Sequence, residues 1–330
     1  MYEEQDATVV DIPSSNREIR LRGPQPLLDG LFRSATLFFG LFILLILGGV
    51  AASLVAGSRA AFGKFGLPFL WTDIWNPATE RFGALVPIYG TLVTSLIAMV
   101  VGIPLSFGVA VFITELCPAP LKRPLSIAIE LLAGIPSIIY GIWGLFVFAP
   151  FLQAHVQPFL IATLGHVPGL GVLFAGPPFG IGILTAGLIL AIMVLPFISS
   201  IMRDVFETVP PMLRESAYGL GCTTWEVIWR VVLPYTKVGV VGGIMLGLGR
   251  AMGETMAVTF VIGNAHLIRS SLLAPGTTIS SALANEFTEA TSPVYTSSLI
   301  ALGLILFFIT FVVLAAAKYM LIRMQRQAGN

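Results

Sequence analysis

The sequence predicts an all-α, polytopic membrane protein with six transmembrane helices. Three observations carry that prediction. Apolar residues make up 56% of the 330, and Asp, Glu, Lys and Arg together only 11%, against roughly 25% charged in soluble domains. Several apolar runs exceed about 18 residues, the length a helix needs to cross a hydrocarbon core. Lys and Arg gather in alternate connections between those runs, as they do in short cytoplasmic loops. The formal net charge of +1 provides no field that would attract nucleic acid. The two cysteines, Cys117 and Cys222, suggest neither a disulfide framework nor a metal site, and the alternating strands of a membrane barrel are absent.

Residues 1–33 are polar and broken by Pro13, Gly23, Pro24 and Pro26, so they are expected to form a cytoplasmic tail or interfacial arm. The first apolar run, Ala35 to Gly57, exceeds the core of about 7–15 residues found in cleavable signal peptides and reads as a retained helix. Spans are expected at 34–57, 89–113, 127–150, 181–202, 238–262 and 297–321. Between Glu130 and Arg203 no charged residue occurs. Gln153, His155, Gln157, His166, Pro168, Pro177 and Pro178 divide that stretch into two spans and a neutral loop. With the N-terminus inside, basic residues such as Arg17, Lys122, Arg203, Arg214 and Lys318 fall in the cytoplasm, while Arg59, Lys64, Arg81 and Arg269 fall outside. Both termini are then cytoplasmic, flanking a transmembrane domain over 34–325 and a short C-terminal tail over 326–330.

The longest cytoplasmic loop, 203–237, reads RDVFETVPPMLRESAYGLGCTTWEVIWRVVLPYTK. Pro210 and Pro211 suit a helix start, Gly219 and Gly221 a left-handed stop, and Thr223 with Glu226 a capping box. A second short helix is expected to run to Leu233 and end at Pro234. The run Glu215-Ser216-Ala217, three residues, Gly221, nine residues, then Val231-Val232-Leu233-Pro234 resembles the EAA loop of bacterial ABC-importer permeases. Ser216 and Val231 depart from that pattern conservatively. The resemblance implies that Glu215, Ser216, Ala217, Gly221, Leu233 and Pro234 couple the chain to an ATP-hydrolysing subunit.

The fifth span, VGVVGGIMLGLGRAMGETMAVTFVIGN, contains Arg250 and Glu254. At about 100° per residue, Gly239, Gly243, Gly247, Arg250 and Glu254 share a sector of about 80°. Glycines at that spacing permit close helix approach. Charges at membrane depth cost about 2.5–3.5 kcal/mol on insertion scales and usually mark a pathway or a pair. Two readings follow: one helix carrying a structural Arg250–Glu254 salt bridge, or an arginine whose planar fork meets an oxyanion. In the second, Glu254 adds selectivity by accepting the proton that phosphate, unlike sulfate, retains near neutral pH.

The string GLGRAMGETMAV, with YGTLVTSLIAM (Tyr89 to Met99), IELLAGIPSIIYGIWGLFV (Ile129 to Val147) and APGTTISSALANEF (Ala274 to Phe287), resembles permeases of the Pst phosphate importer, the PstC type more closely than PstA. The resemblance runs from about Leu31 onward. It implies a type I, MetI-like permease fold in the bacterial inner membrane. It also implies a PstA-like second permease, a PstB-like ATPase dimer on the cytoplasmic side and a PstS-like periplasmic phosphate-binding protein. Arg250 and Glu254 match the Arg and Glu linked in that family to phosphate passage.

Weaker signals are set aside on chemistry. Gly57 to Phe65 lacks the spacing and the hydroxyl of a phosphate-binding loop, so the chain is expected to be no enzyme, to hold no cofactor and to rely on a partner for ATP hydrolysis. Thr91, Thr94 and Ser95 share a helix face and are expected to bond to their own backbone. Glu130 is expected at an interface, and Pro104, Pro136 and Pro196 as kinks. His155, His166 and His266 lack metal-ligand spacing. A permease for molybdate or sulfate is the nearer alternative. A secondary transporter, which would show repeated halves, is the more distant one.

Overall fold

The computed structural model describes residues 26–169 and 171–328, without the side chains of 26–28 and 324–328. Residues 1–25 of the expected tail lie outside this range. Among the described residues the architecture is helical, with one isolated bridge, Asn76 to Arg81. The helices are α1 Pro26–Gly57, α2 Arg59–Phe65, α3 Leu85–Leu116, α4 Ala119–Ala133, α5 Ser137–Leu164, α6 Ile183–Glu207, α7 Pro211–Gly219, α8 Thr224–Met252, α9 Met256–Val261, α10 Ile279–Glu286 and α11 Pro293–Ala328. Six of them, α1, α3, α5, α6, α8 and α11, are long and apolar enough to cross a membrane. The chain divides at Val50 into two compact units. In the first, α1 presents exposed apolar side chains from Leu31 to Val50, and Pro26 starts the helix instead of breaking it, because proline lacks only a donor that the first turn does not use.

Within residues 51–330, α6 is the central element. Ile189, Leu190, Val194, Ile198, Met202 and Phe206 are fully buried against α3, α8 and α9. The glycine stripe of α8 packs on it at close range. A Cβ at Gly239, Gly243 or Gly247 would lie 2.6, 2.8 or 2.5 Å from Val205, Ile201 or Ile198, so these positions need the absence of a side chain. A second core joins α2, α10 and α11 through Phe69, Phe82, Ile279, Leu299 and Leu302.

Three expected boundaries are corrected. The third span is 137–164 rather than 127–150. Gly134 and Pro136 break the chain after α4, since Pro136 has no N–H to continue the ladder. Glu130 therefore belongs to the separate helix α4, and Gln153, His155 and Gln157 lie within α5 rather than a loop. Gln157 is fully buried, its Oε1 accepting from Gly180 N–H at 2.9 Å. Pro234 does not end a helix, because α8 runs through it from Thr224. The turn just upstream, Ile228–Val232, widens to a π-turn, which relieves the clash between the ring and the preceding carbonyls. The fifth span stops at Met252 instead of 262.

Candidate functional site

The loop between α6 and α8 is built as its residues dictate. Pro210 is extended, Pro211 occupies the first turn of α7, and Gly219 is its last residue. Gly221 follows with φ +89° and empty space where a Cβ would stand, so its requirement is conformational. Cys222 N–H donates to Ala217 O at 3.2 Å, closing the turn. The Thr223 hydroxyl then accepts from Glu226 N–H at 3.4 Å, and the Glu226 carboxylate accepts from Thr223 N–H at 3.0 Å, a complete capping box. Glu215, Ser216, Gly221 and Pro234 are exposed, Ala217 is buried and Leu233 is half-buried. Met212 (75% exposed), Leu220 (86%) and Trp225 (63%) stand beside them, an apolar surface of the kind that marks a protein contact.

Sequence reasoning missed what holds this loop in place. Arg214 donates to Phe206 O at 2.6 Å and approaches the Glu115 carboxylate at 3.2 Å, tying α7 to the ends of α6 and α3. Nearby, Arg203 pairs with Glu130 at 2.9 Å and Asp204 at 2.6 Å, joining α6 to α4.

The intramembrane charges are arranged differently from a single-helix pair. After Met252 the chain leaves the helix: Gly253 N–H reaches Gly249 O at 3.3 Å and Glu254 N–H reaches Ala251 O at 3.4 Å. Glycine is a poor helix residue, and the Glu254 carboxylate accepts from Ala257 N–H at 3.4 Å, a local bond that competes with helix continuation. α9 then restarts at Met256. Arg250 and Glu254 are therefore divided by the break, and among the described residues the ion pairs within 4.0 Å do not include one between them. Arg250 is exposed in the last turn of α8, where a cation suits the helix dipole, with its guanidinium 5.7 Å from the Phe197 ring centre.

A second break lies alongside. α5 packs on α9 so closely that a Cβ at Gly141 would stand 2.8 Å from Phe260 and 3.1 Å from Ala257. The break preceding α5, at Gly134 to Pro136, is tied by Tyr140 Oη donating to Leu132 O at 2.9 Å. The two breaks, Gly134 to Pro136 before α5 and Gly253 to Thr255 before α9, thus precede a packed pair of helices.

The remaining polar residues sort simply. Thr91, Thr94 and Ser95 donate to Pro87 O, Gly90 O and Thr91 O at 2.7–2.8 Å, as expected of helix hydroxyls. Thr91 Oγ1 also accepts from Ile279 N–H at 3.0 Å, anchoring α10 to α3. At the end of the bundle remote from the loop, the Glu286 carboxylate accepts from Trp75 Nε1 and Tyr295 Oη, both at 2.6 Å, and meets His266 Nε2 at 2.5 Å. His266 thus serves a half-buried polar cluster, and no metal group is found among the described residues.

The binding-protein-dependent transport system inner membrane component family matches residues 102–326. The phosphate transport system permease protein PstC of Mesorhizobium japonicum is 63% identical over 303 residues, covering 92% of this chain and 93% of that protein. Among solved structures, a chain of a bacterial alginate ABC transporter aligns over 88% of this chain and 94% of its own at 18% identity with TM-score 0.58. A chain of the MetNI methionine ABC transporter aligns over 76% and 99% at 16% identity with TM-score 0.56. These two share the fold alone, which is that of the MetI-like ABC-importer permeases. With six membrane-crossing helices, that fold and relatives matched along nearly its whole length, the chain belongs to the inner membrane components of binding-protein-dependent transport systems and, within them, to the PstC permeases.

Proposed function

We propose that this chain is one half of the membrane pathway of a phosphate importer and moves inorganic phosphate inward by alternating access. The observation that carries the reading is Arg250: an arginine in the last turn of an interrupted span, exposed in the single chain, with no carboxylate within 4.0 Å among the described residues. A permanent charge without a carboxylate beside it among the described residues is suited to an anion in passage. The Mesorhizobium relative is named a phosphate transport permease, which favours phosphate over molybdate or sulfate. Glu254, held beside the break by its bond to Ala257 N–H, would accept the proton that phosphate retains and so favour it over a fully deprotonated oxyanion.

In this reading the exposed loop of α7 and the start of α8 docks, through Glu215, Ser216, Ala217, Gly221, Leu233 and Pro234, into a PstB-like ATPase dimer. That partner supplies the hydrolysis, since this chain carries no phosphate-binding loop of its own. A PstA-like subunit completes the pathway and a PstS-like protein delivers phosphate from the periplasm. Both termini face the cytoplasm, with the transmembrane domain over 34–325 between a tail at 1–33 and another at 326–330. Radiolabelled phosphate uptake by Arg250→Gln, normalised to assembled complex, tests the pathway. Loss of uptake with intact assembly is expected, and wild-type uptake would refute it.

A further inference from the structure

We infer that Arg214 and Glu115 form the positioning strut through which the docking helix α7 moves α3 and α6, an assignment that rests on the ATPase-docking reading of the loop. Glu115 ends α3 in a widened turn, Phe112–Leu116, and its side chain is only 6% exposed. A carboxylate that deep needs a cation, and it receives one from a different element: Arg214, on α7 immediately before Glu215. The same Arg214 Nη2 that approaches Glu115 Oε1 at 3.2 Å donates to Phe206 O at 2.6 Å, a carbonyl in the last turn of α6 that also accepts from Val209 N–H at 3.2 Å just past the helix end. One guanidinium therefore grips two spans at once. The neighbouring cation, Lys122, is engaged elsewhere, donating to Thr114 O at 2.7 Å.

The grip is also incomplete. Arg214 Nε and Glu115 Oε1 are buried without an aligned hydrogen bond, so the charge pair is close but not forked. A planar fork facing a carboxylate has a second, bidentate arrangement available. A small displacement of α7 thus has a polar contact to gain or lose at the ends of both helices. A group that is charged, buried and short of one hydrogen bond transmits displacement in a way that an apolar contact of the same size does not, because its alternatives are discrete.

The test uses the whole complex in liposomes, measuring both phosphate uptake and ATP hydrolysis per assembled complex. Arg214→Gln and Glu115→Gln should still retain the ATPase yet carry at least about fivefold less phosphate per ATP hydrolysed, the low end of ordinary coupling effects. Arg214→Lys, which keeps the charge but not the fork, should fall between. The Glu115→Arg, Arg214→Glu exchange should recover part of the ratio. Variants that lose complex but keep the wild-type ratio would show a merely structural pair and overturn the assignment. So would an exchange no better than either single variant. Failure of the docking reading itself is distinguishable: the wild-type chain would then not retain an ATPase at all.

Discussion

Around Glu286 three donors converge on one carboxylate, whereas Arg250 stands at a helix break with an aromatic ring and no carboxylate for company among the described residues. Both are charges in a largely apolar protein, and the first is settled internally while the second has no carboxylate within 4.0 Å among the described residues. The Glu286 cluster joins the segment carrying Trp75, the loop carrying His266, α10 and α11, and Trp75 and His266 stack with ring centres 5.1 Å apart. That closure is what a structural latch looks like. On the proposed reading the open arrangement at Arg250 suits a transport step, since a charge already neutralised has less to offer a passing anion.

The sharpest way to break this comparison is at Arg250. Replacing Arg250 and Glu254 together by leucine should leave the complex assembled, because the two share no ion pair that the change would destroy. It should reduce phosphate uptake by at least about 100-fold, the loss expected from two charge-assisted hydrogen bonds of about 1.5–3 kcal/mol each. Were the two residues a structural pair, the double variant would transport normally while each single variant failed to assemble. Glu286→Leu should do the reverse. It strands Trp75 Nε1, Tyr295 Oη and His266, and lowers stability by about 3 kcal/mol while uptake per surviving complex stays near wild type. Thermal unfolding and uptake measured on the same preparations separate the two.

Acid should sharpen the contrast. Burial by itself would raise the Glu286 pKa, but the hydrogen bonds from His266, Tyr295 and Trp75 outweigh it and hold the carboxyl below its ordinary range. A carboxyl depressed in the folded state contributes stability above its unfolded value of about 4.3, and that contribution disappears as pH falls through the folded pKa. Melting temperature should therefore drop below about pH 4.3 in the wild type, and Glu286→Gln should flatten that limb. An unchanged acid limb in the variant would show that another group controls it.

What was legible in the sequence tracks where the physics is local. Pro211, Gly221 and the Thr223–Glu226 box specify their turn within sixteen residues, and the turn between α7 and α8 forms as those residues predict, although the helix after it runs on through Pro234. The glycine stripe likewise announces a close helix contact. The break at Gly253 was hidden because the apolar run continues across it, so hydropathy gives one span where hydrogen bonding gives a helix, an interruption and α9. The same masking moved the third span, where Gly134 and Pro136 divide a run that composition alone treats as continuous. Arg214 and Glu115 were out of reach for a different reason: ninety-nine residues separate them, and no pattern within either segment names the other.

Packing supplies the next smaller effect. Gly243→Leu must displace Ile201, whose side chain lies 2.8 Å from the point a Cβ would occupy, whereas Gly242 on the same helix has open space. Overpacking of this kind costs about 1–3 kcal/mol. Gly242→Leu should cost much less in the isolated chain, and a large loss only on assembly would mark Gly242 as facing a partner.

The smallest effect belongs to Gly221, and it isolates backbone from contact. Nothing lies within 4 Å of its missing Cβ, as is also true of Gly219, yet only Gly221 has a positive φ, +89°. Alanine at Gly221 therefore meets no atom and still pays the left-handed penalty of about 1–2 kcal/mol, while alanine at Gly219, the last residue of α7, gains helix propensity. Because the turn is exposed, the loss should appear as fraying of residues 217–223 before it appears in global unfolding. Hydrogen exchange at Cys222, whose N–H closes the turn on Ala217 O at 3.2 Å, reads it directly. Faster exchange in Gly221→Ala and unchanged or slower exchange in Gly219→Ala is expected. Equal exchange in both would mean that the loop tolerates a side chain at Gly221 and that the motif's glycine answers to the proposed ATPase partner rather than to its own backbone.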